Sequence, residues 1–387
     1  MSELSYMDKL LDGGEVKWMA LGKALVRTKG TNITAGRMKE LHKDHAPLKI
    51  FAGGKTVAFV DFKDIPEKNI NREPSIIVKS RGVVEFEYYT DPFSHKNEMW
   101  SYHSKNNNIN IKYVYYYLKT KELYFQGLAS RMQMPQIATP DTDKFQIPIP
   151  PLNIQAEIVR ILDTFTELTA ELTAELVARR KQYAYYRDQL LTFKEGKVEW
   201  KSLNEVCSSI SAGGDLPEAF IKGQTDPTDE FPYPIFANAT GDKGLYGFTD
   251  KYKIESDAVT ISARGAKVGY HTVREGKFTP IIRLITLVPN KNIISTRYLN
   301  YILDMTPIAG TKGGIPQLTV PTVKKISIPV PLLAEQERIV TILDKFDALT
   351  TSLTEGLPRE ITLRQQQYEH YRELLLSFPK TEVADHD

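Results

Sequence analysis

A chain of 387 residues with one cysteine, Cys207, can form neither an internal disulfide nor a multi-cysteine zinc site. No apolar run approaches the ~18 residues needed to span a bilayer, and no charged-then-apolar leader opens at Met1. The expectation is a cytoplasmic protein without membrane contact. Catalytic signatures are scarce too. Gly54-Lys55-Thr56 ends like a phosphate-binding loop, but position 49 is Lys where that pattern demands Gly, which rejects nucleotide binding there. Gly-x-Gly-x-x-Gly, His-Glu-x-x-His and Gly-x-Ser-x-Gly runs are missing, so no residue pattern argues for catalysis.

What the chain has is repetition. Ile147-Pro148-Ile149-Pro150-Pro151-Leu152 returns as Ile328-Pro329-Val330-Pro331-Leu332-Leu333, an offset of 181 residues. Gln155, Ile158, Ile161, Leu162, Asp163 and Phe165 recur as Gln336, Ile339, Ile342, Leu343, Asp344 and Phe346 at the same offset. The register then slips by four, so that Tyr183, Tyr186, Leu190, Leu191 and Phe193 come back as Tyr368, Tyr371, Leu375, Leu376 and Phe378. Upstream, Trp18 pairs with Trp200, Ile50-Phe51-Ala52 with Ile235-Phe236-Ala237, Arg81-Gly82 with Arg264-Gly265, and Pro135-Gln136 with Pro316-Gln317. Tyr6, Asp8, Leu10 and Leu11 repeat Tyr186, Asp188, Leu190 and Leu191, which predicts that the N-terminal segment packs near the C-terminal helix. The period is too long for a solenoid, whose units run to roughly 20 to 50 residues.

Each copy reads as one globular unit followed by one helix. The expected division is an N-terminal segment 1–15, a first globular domain 16–150, a central helix 151–197, a second globular domain 198–330, a C-terminal helix 331–378 and a tail 379–387. The globular units are α+β. Short β-runs lie at Val57–Val60, Ser75–Val78, Val83–Tyr88, Ala258–Ile261 and Arg283–Val288, with one short helix in each unit, Lys112–Thr120 and Arg297–Asp304. Net charge is +2 for the whole chain, yet residues 16–150 carry 21 Lys and Arg against 13 Asp and Glu. Residues 198–330 carry 15 against 13, and 331–387 carry 6 against 11. Positive charge on the globular units suits phosphate, and acid at the C-terminal end suits protein partners.

Apolar positions from Ile154 to Phe193 advance in three- and four-residue steps, as a coiled-coil seam does, and the second copy supplies a matching seam. Antiparallel pairing would put the two globular units in inverted orientation, with centres about one duplex turn, ~34 Å, apart. Gly356-Leu357-Pro358 should interrupt the second helix, Gly as a C-cap and Pro in a new first turn, a kink being the milder alternative. Thr169-Ala170-Glu171-Leu172 repeats directly as Thr173-Ala174-Glu175-Leu176, and each such unit adds ~6 Å of helix.

Three loop pairs could present cations and amides to a DNA groove. Their candidate contacts are Lys55, Lys79, Arg81, Arg131 and Gln133 in the first unit, and Asn238, Lys243, Arg264, Lys267 and Lys312 in the second. The tyrosine clusters at 113–117 and 183–186 have helical spacing and are assigned to packing instead of base stacking. A non-catalytic scaffold that joins protein partners without reading DNA would share the duplication. A self-sufficient DNA-modifying enzyme would need a cofactor site that the residues do not supply.

The order of reader, Ile-Pro-x-Pro junction and long helix, stated twice, resembles the specificity subunit of type I restriction-modification enzymes along essentially the whole chain. The Thr-Ala-Glu-Leu repeats, the 190–200 linker and the 355–361 run are similar to the IC group. The resemblance implies two pseudo-twofold-related target-recognition domains joined by two long antiparallel coiled-coil helices. Each domain would read half of a bipartite double-stranded DNA target. Two methyltransferase subunits using S-adenosylmethionine would dock on this core. Restriction subunits with ATP and Mg would join them, and no cofactor or catalytic residue would lie in this chain.

Overall fold

The two sequence copies fold into matched sheets. The computed structural model describes residues 10–11, 13–129, 135–194, 196–240, 244–265, 267–308, 310 and 316–378. By internal contacts they divide into two compact units, one built from residues 1–172 and 360–387 and the other from residues 173–359. This differs from boundaries placed at 150 and 330, because each unit takes in part of each helical segment as a wall of its own core.

In the first unit a four-stranded antiparallel sheet runs in the order Leu25–Arg27, Trp100–Ser104, Ser75–Lys79, Glu85–Tyr89, and a three-stranded sheet in the order Val57–Val60, Leu48–Phe51, Phe93–His95. The second unit repeats the first of these as Cys207–Ala212, Ile285–Pro289, Ala258–Ile261, His271–Arg274. Its other sheet has five strands around Tyr233–Phe236 and Lys277–Pro280, whose parallel pairing matches that of Leu48–Phe51 with Phe93–His95. Ile76, Ile77 and Val78 are fully buried, as are Val259 and Ile261, because these inner strands have sheet on both sides and core on their faces. The strand expected from Arg283 starts instead at Ile285, since Arg283 belongs to a tight turn.

The Ile-Pro-x-Pro junctions are strands. Gln146–Ile149 pairs with Lys17–Ala20, setting Pro148 opposite Trp18, and Ser327–Val330 pairs with Glu199–Ser202, setting Pro329 opposite Trp200. A two-stranded ribbon tolerates proline, which has no N–H to donate, on its open edge.

From each ribbon the chain turns straight into a long helix, held by a buried glutamine. Gln155 Oε1 accepts from Asn110 N at 2.8 Å, and its Nε2 donates to Pro150 O at 2.8 Å and Asn108 O at 3.3 Å. Gln336 Oε1 accepts from Ser295 N at 2.9 Å, and its Nε2 donates to Ile293 O and Pro331 O, each at 2.9 Å. Beside each glutamine a tyrosine of the short reader helix donates to the junction, Tyr113 Oη to Pro148 O and Tyr298 Oη to Pro329 O, both at 3.0 Å. About two turns further along each long helix, Lys112 and Tyr116 converge on Asp163, and Arg297 and Tyr301 converge on Asp344.

The central helix, Leu152–Leu191, passes unbroken from one unit into the other. Within the first unit it lies antiparallel to the last helix, Gly356–Leu376: Phe165 stacks on Tyr371 with centroids 5.3 Å apart, while Ile158 and Leu162 share a core with Leu375, Leu376 and Phe378. Leu10 and Leu11 pack on that same core. Within the second unit the central helix is antiparallel to Leu333–Thr351: Tyr186 stacks on Phe346 at 5.6 Å and Arg180 donates to Thr350 O at 3.3 Å. From 163 to 190 the central helix buries no side chain completely, the seam residues being half-buried at most, and the limit between the units falls between Leu172 and Thr173, at the joint of the two Thr-Ala-Glu-Leu copies.

The second helical segment is broken and not merely kinked, with Ser352–Glu355 outside both helices. Gly356 sits at φ 73°, and a Cβ there would come within 2.4 Å of Ala348 O, so only glycine can close over the end of the preceding helix. Among the described residues no helix is long and apolar enough to cross a membrane, and no group of three or more His, Cys, Asp or Glu could hold a metal ion.

Truncating Gln336 to Ala would strand the Ser295 amide and two carbonyls, at a cost of about 2–4 kcal/mol. Chemical denaturation should show this loss, and Arg338→Ala, which removes an exposed i,i+3 pair with Glu335, should change stability by less than ~1 kcal/mol. Equal effects from the two variants would refute the latch.

Candidate nucleic-acid interface

At one edge of each reader several loops are fastened to one another by backbone hydrogen bonds, in the same pattern twice. In the first unit Gly82 N donates to Pro135 O at 2.9 Å and Ile137 N to Ser80 O at 3.0 Å, with Arg81 facing Gln136 in an isolated bridge. In the second, Gly265 N donates to Pro316 O at 3.2 Å and Leu318 N to Ala263 O at 2.7 Å, with Arg264 facing Gln317. The arginine-glycine and proline-glutamine pairs matched in sequence are therefore one structural clip.

A second clip lies alongside. Lys96 N donates to Phe51 O, and Ile281 N to Phe236 O, both at 2.9 Å. The residue opposite each is Thr31 in one unit and Gly214 in the other. Ser80 Oγ donates to Glu98 O at 2.8 Å, tying the two clips of the first unit together. Asn238 does so in the second: its Nδ2 donates to Arg264 O at 2.7 Å while its Oδ1 accepts from Ala263 N.

Lys55, Arg81, Arg264 and Lys267 are exposed on these loops, and among the described residues none of the four has a carboxylate within ion-pair distance. Near Arg81, burial pushes the Glu98 carboxyl up, but Lys96 and the Arg81 guanidinium outweigh burial and hold it below the usual range. Exposed cations that no ion pair holds can meet phosphate oxygens or guanine edges.

Two expected contacts have other work. Lys79 ends a strand instead of lying in a loop, and its ammonium lies 2.8 Å from Glu87 and 3.5 Å from Glu85. Burial works against that charge, and the two carboxylates outweigh it, leaving the lysine's pKa raised. Asn238 has its amide committed to the Arg264 loop and acts by positioning it. Arg131, Gln133, Lys243 and Lys312 lie outside the described residues.

Arg274 was invisible to the sequence comparison. Its guanidinium lies over the Phe236 ring at 3.8 Å with Nε unpartnered, and burial lowers its pKa from the ordinary value. The corresponding register position of the first unit, opposite Ser75 as Arg274 is opposite Ala258, is Tyr89, which packs on Phe51 at 5.2 Å. Because the residue differs between copies, a search for repeated cations passes over it. The tyrosines at 113–117 are packing residues, as expected: Tyr113, Tyr116 and Tyr117 are buried.

A family model described as the type I restriction modification DNA specificity domain matches the chain twice, over residues 33–179 and 195–363. Each match takes in a reader and part of the helix that follows it. The chain is 35% identical to the Escherichia coli type I restriction enzyme EcoR124I/EcoR124II specificity subunit, covering 99% of this chain and 100% of that protein. It is 31% identical to the Escherichia coli EcoprrI specificity subunit, covering 92% and 93% of the two chains. Among solved structures, the crystal structure of the S subunit of a type I restriction-modification system from M. genitalium aligns with a TM-score of 0.62 at 17% identity, covering 95% and 98%. At that identity the likeness speaks for the fold alone.

Arg264→Ala should weaken binding to a selected duplex about 10-fold or more, and Lys79→Ala less than about 2-fold, because Lys79 is neutralised within the reader. Fluorescence titration at two salt concentrations would check this, and the reverse ranking would displace the interface from the paired clips.

Proposed function

Since the chain belongs to the type I restriction modification DNA specificity family, we propose that each of its readers recognises one half of a bipartite duplex target through the clipped loop edge. The observation that carries this reading is the double occurrence of one clip, Arg81 against Gln136 and Arg264 against Gln317, each in its own unit and each with an exposed guanidinium. A scaffold serving protein partners alone would have no need of unpaired cations at corresponding places.

The chain is a specificity subunit, and its relatives carry that name instead of a catalytic one. Modification of adenine is assigned to two methyltransferase subunits that bind S-adenosylmethionine, and ATP- and Mg-dependent cleavage to restriction subunits. The helices, acidic toward the C-terminal end, would dock the methyltransferases, and the site of action is the cytoplasm, where host DNA lies. The central helix sets the gap between half-sites, because its Thr-Ala-Glu-Leu stretch adds length without contributing a buried side chain.

The test is to co-express the chain with its methyltransferase partner and map modified adenines across host DNA. A split motif with one modified adenine per half and a constant gap is expected. A stable complex that leaves no motif would favour the scaffold. Deleting Thr173–Leu176 shortens the helix by ~6 Å, and the mapped gap should shrink by about one or two base pairs at ~3.4 Å each while both half-sites stay unchanged. Altered half-sites would show that the repeats belong to a reader.

A further inference from the structure

The turn between Lys277–Pro280 and Ile285–Pro289 in the second unit holds its two tip residues in a conformation that neither favours. Ile282 has φ 51° and Arg283 φ 60°. Turns with two successive left-handed residues ordinarily carry Asn-Gly, and a β-branched side chain there is strained.

The surroundings enforce that geometry. Leu284 N donates to Ile281 O at 3.2 Å to close the turn, Ile282 N to Gly214 O at 2.9 Å, and Arg283 N to Gly213 O at 3.2 Å. Gly213 lets the two backbones approach, since a Cβ there would lie 2.8 Å from Ile281 N. Ile281 and Leu284 are buried as anchors, whereas Ile282 is 54% exposed. Folding thus pushes an apolar side chain outward at a rigid tip, against both backbone preference and the hydrophobic effect. Strain that its neighbours over-determine in this way concentrates at functional positions.

The same turn in the first unit is built differently. Lys96–Met99 closes with Met99 N donating to Lys96 O at 3.0 Å, its tip is Asn97-Glu98 with no positive φ, and Lys96 pairs with Glu98 at 2.7 Å. The frame beneath is shared, since Lys96 N and Ile281 N donate to the matched Phe51 and Phe236 carbonyls. The strained apolar tip is therefore an addition to one reader.

We infer that Ile282 is an apolar wedge that enters the half-site read by the second unit and unstacks a base step, with Arg283 on the adjacent phosphate. This rests on the DNA-reading role proposed above. DNA is favoured over a protein partner by what flanks the tip. Among the described residues Arg283 has no carboxylate partner, and the Phe236–Asn238 segment that pins Ile281 also holds the Arg264 loop. An apolar side chain beside cations is the usual composition of a wedge that kinks a duplex.

Ile282→Gly separates the wedge from a structural role because the two act in opposite directions. Glycine accepts the left-handed conformation, so the melting temperature should rise by about 2–4 °C. In complex with the methyltransferase partner, affinity for the mapped target should nevertheless fall about 10-fold, with nonspecific duplex affected less than 2-fold. Target duplexes with 2-aminopurine at successive positions of the half-site should brighten at one step with the natural chain and not with the variant. Selective binding without brightening at any step, or a variant that keeps full affinity, overturns the wedge and leaves the reader standing. Weakened methyltransferase binding with unchanged DNA affinity would make the tip a protein contact and overturn it as well. Loss of all sequence selectivity in the natural complex would overturn the reading on which it rests.

Discussion

Gln155 and Gln336 lie where a reader ceases to be sheet and becomes helix, and much of the architecture is answerable to them. Each amide satisfies three backbone groups of three different segments: the loop before the short reader helix, that helix's own start, and the Ile-Pro-x-Pro ribbon. Gln155 and Gln336 are themselves fully buried, so an alternative orientation of the helix would leave the amide and its partners stranded. Hydrophobic contact at Ile158, Leu162, Ile339 and Leu343 supplies adhesion, but it is non-directional. Direction comes from the glutamine, the tyrosine that donates to the proline carbonyl, and the cation-carboxylate pair about two turns further on.

With the angle between reader and helix fixed in this way, the two copies are free to differ at their loop edges. The arginine clip recurs bond for bond with its exposed guanidinium, while the groups around it do not recur. Phe51 carries Tyr89 where Phe236 carries Arg274. The turn tip is polar and ion-paired in one copy and apolar and strained in the other. Frame residues answer to packing, which both copies share, and tip residues answer to whatever each meets.

The sequence made the frame legible because the frame is what was duplicated. The matched Ile-Pro-x-Pro runs, Gln155 and Gln336, and the broken helix at Gly356 all appear as residues, and each has the local role its type suggests. The interface was legible only in part. Arg81 and Arg264 were visible because the clip requires the arginine-glycine pair twice. Lys79 and Asn238 looked alike in sequence to free loop residues, since nothing local discloses that Glu85 and Glu87 lie across a strand pair or that the Ala263 amide would point at position 238. Arg274 and Ile282 differ between the copies, so a reading founded on repetition passed over them. Periodicity continues the seam through Leu176, and Leu168, Leu172 and Leu176 are half-buried there, short of the full burial of Ile158 and Leu162.

One compact unit is a single stretch of chain, residues 173–359, whereas the other needs residues from both ends of the sequence. On a ribosome these have different fates. The continuous unit has all its parts soon after residue 359 is added, but the earlier-made reader must wait for Leu375, Leu376 and Phe378 before its core can close. At ~5–20 residues per second that wait lasts roughly 10–40 s. The reader translated first is thus completed last, and through that interval Ile154, Ile158 and Leu162 lack the Leu375, Leu376 and Phe378 side chains that cover them in the finished core.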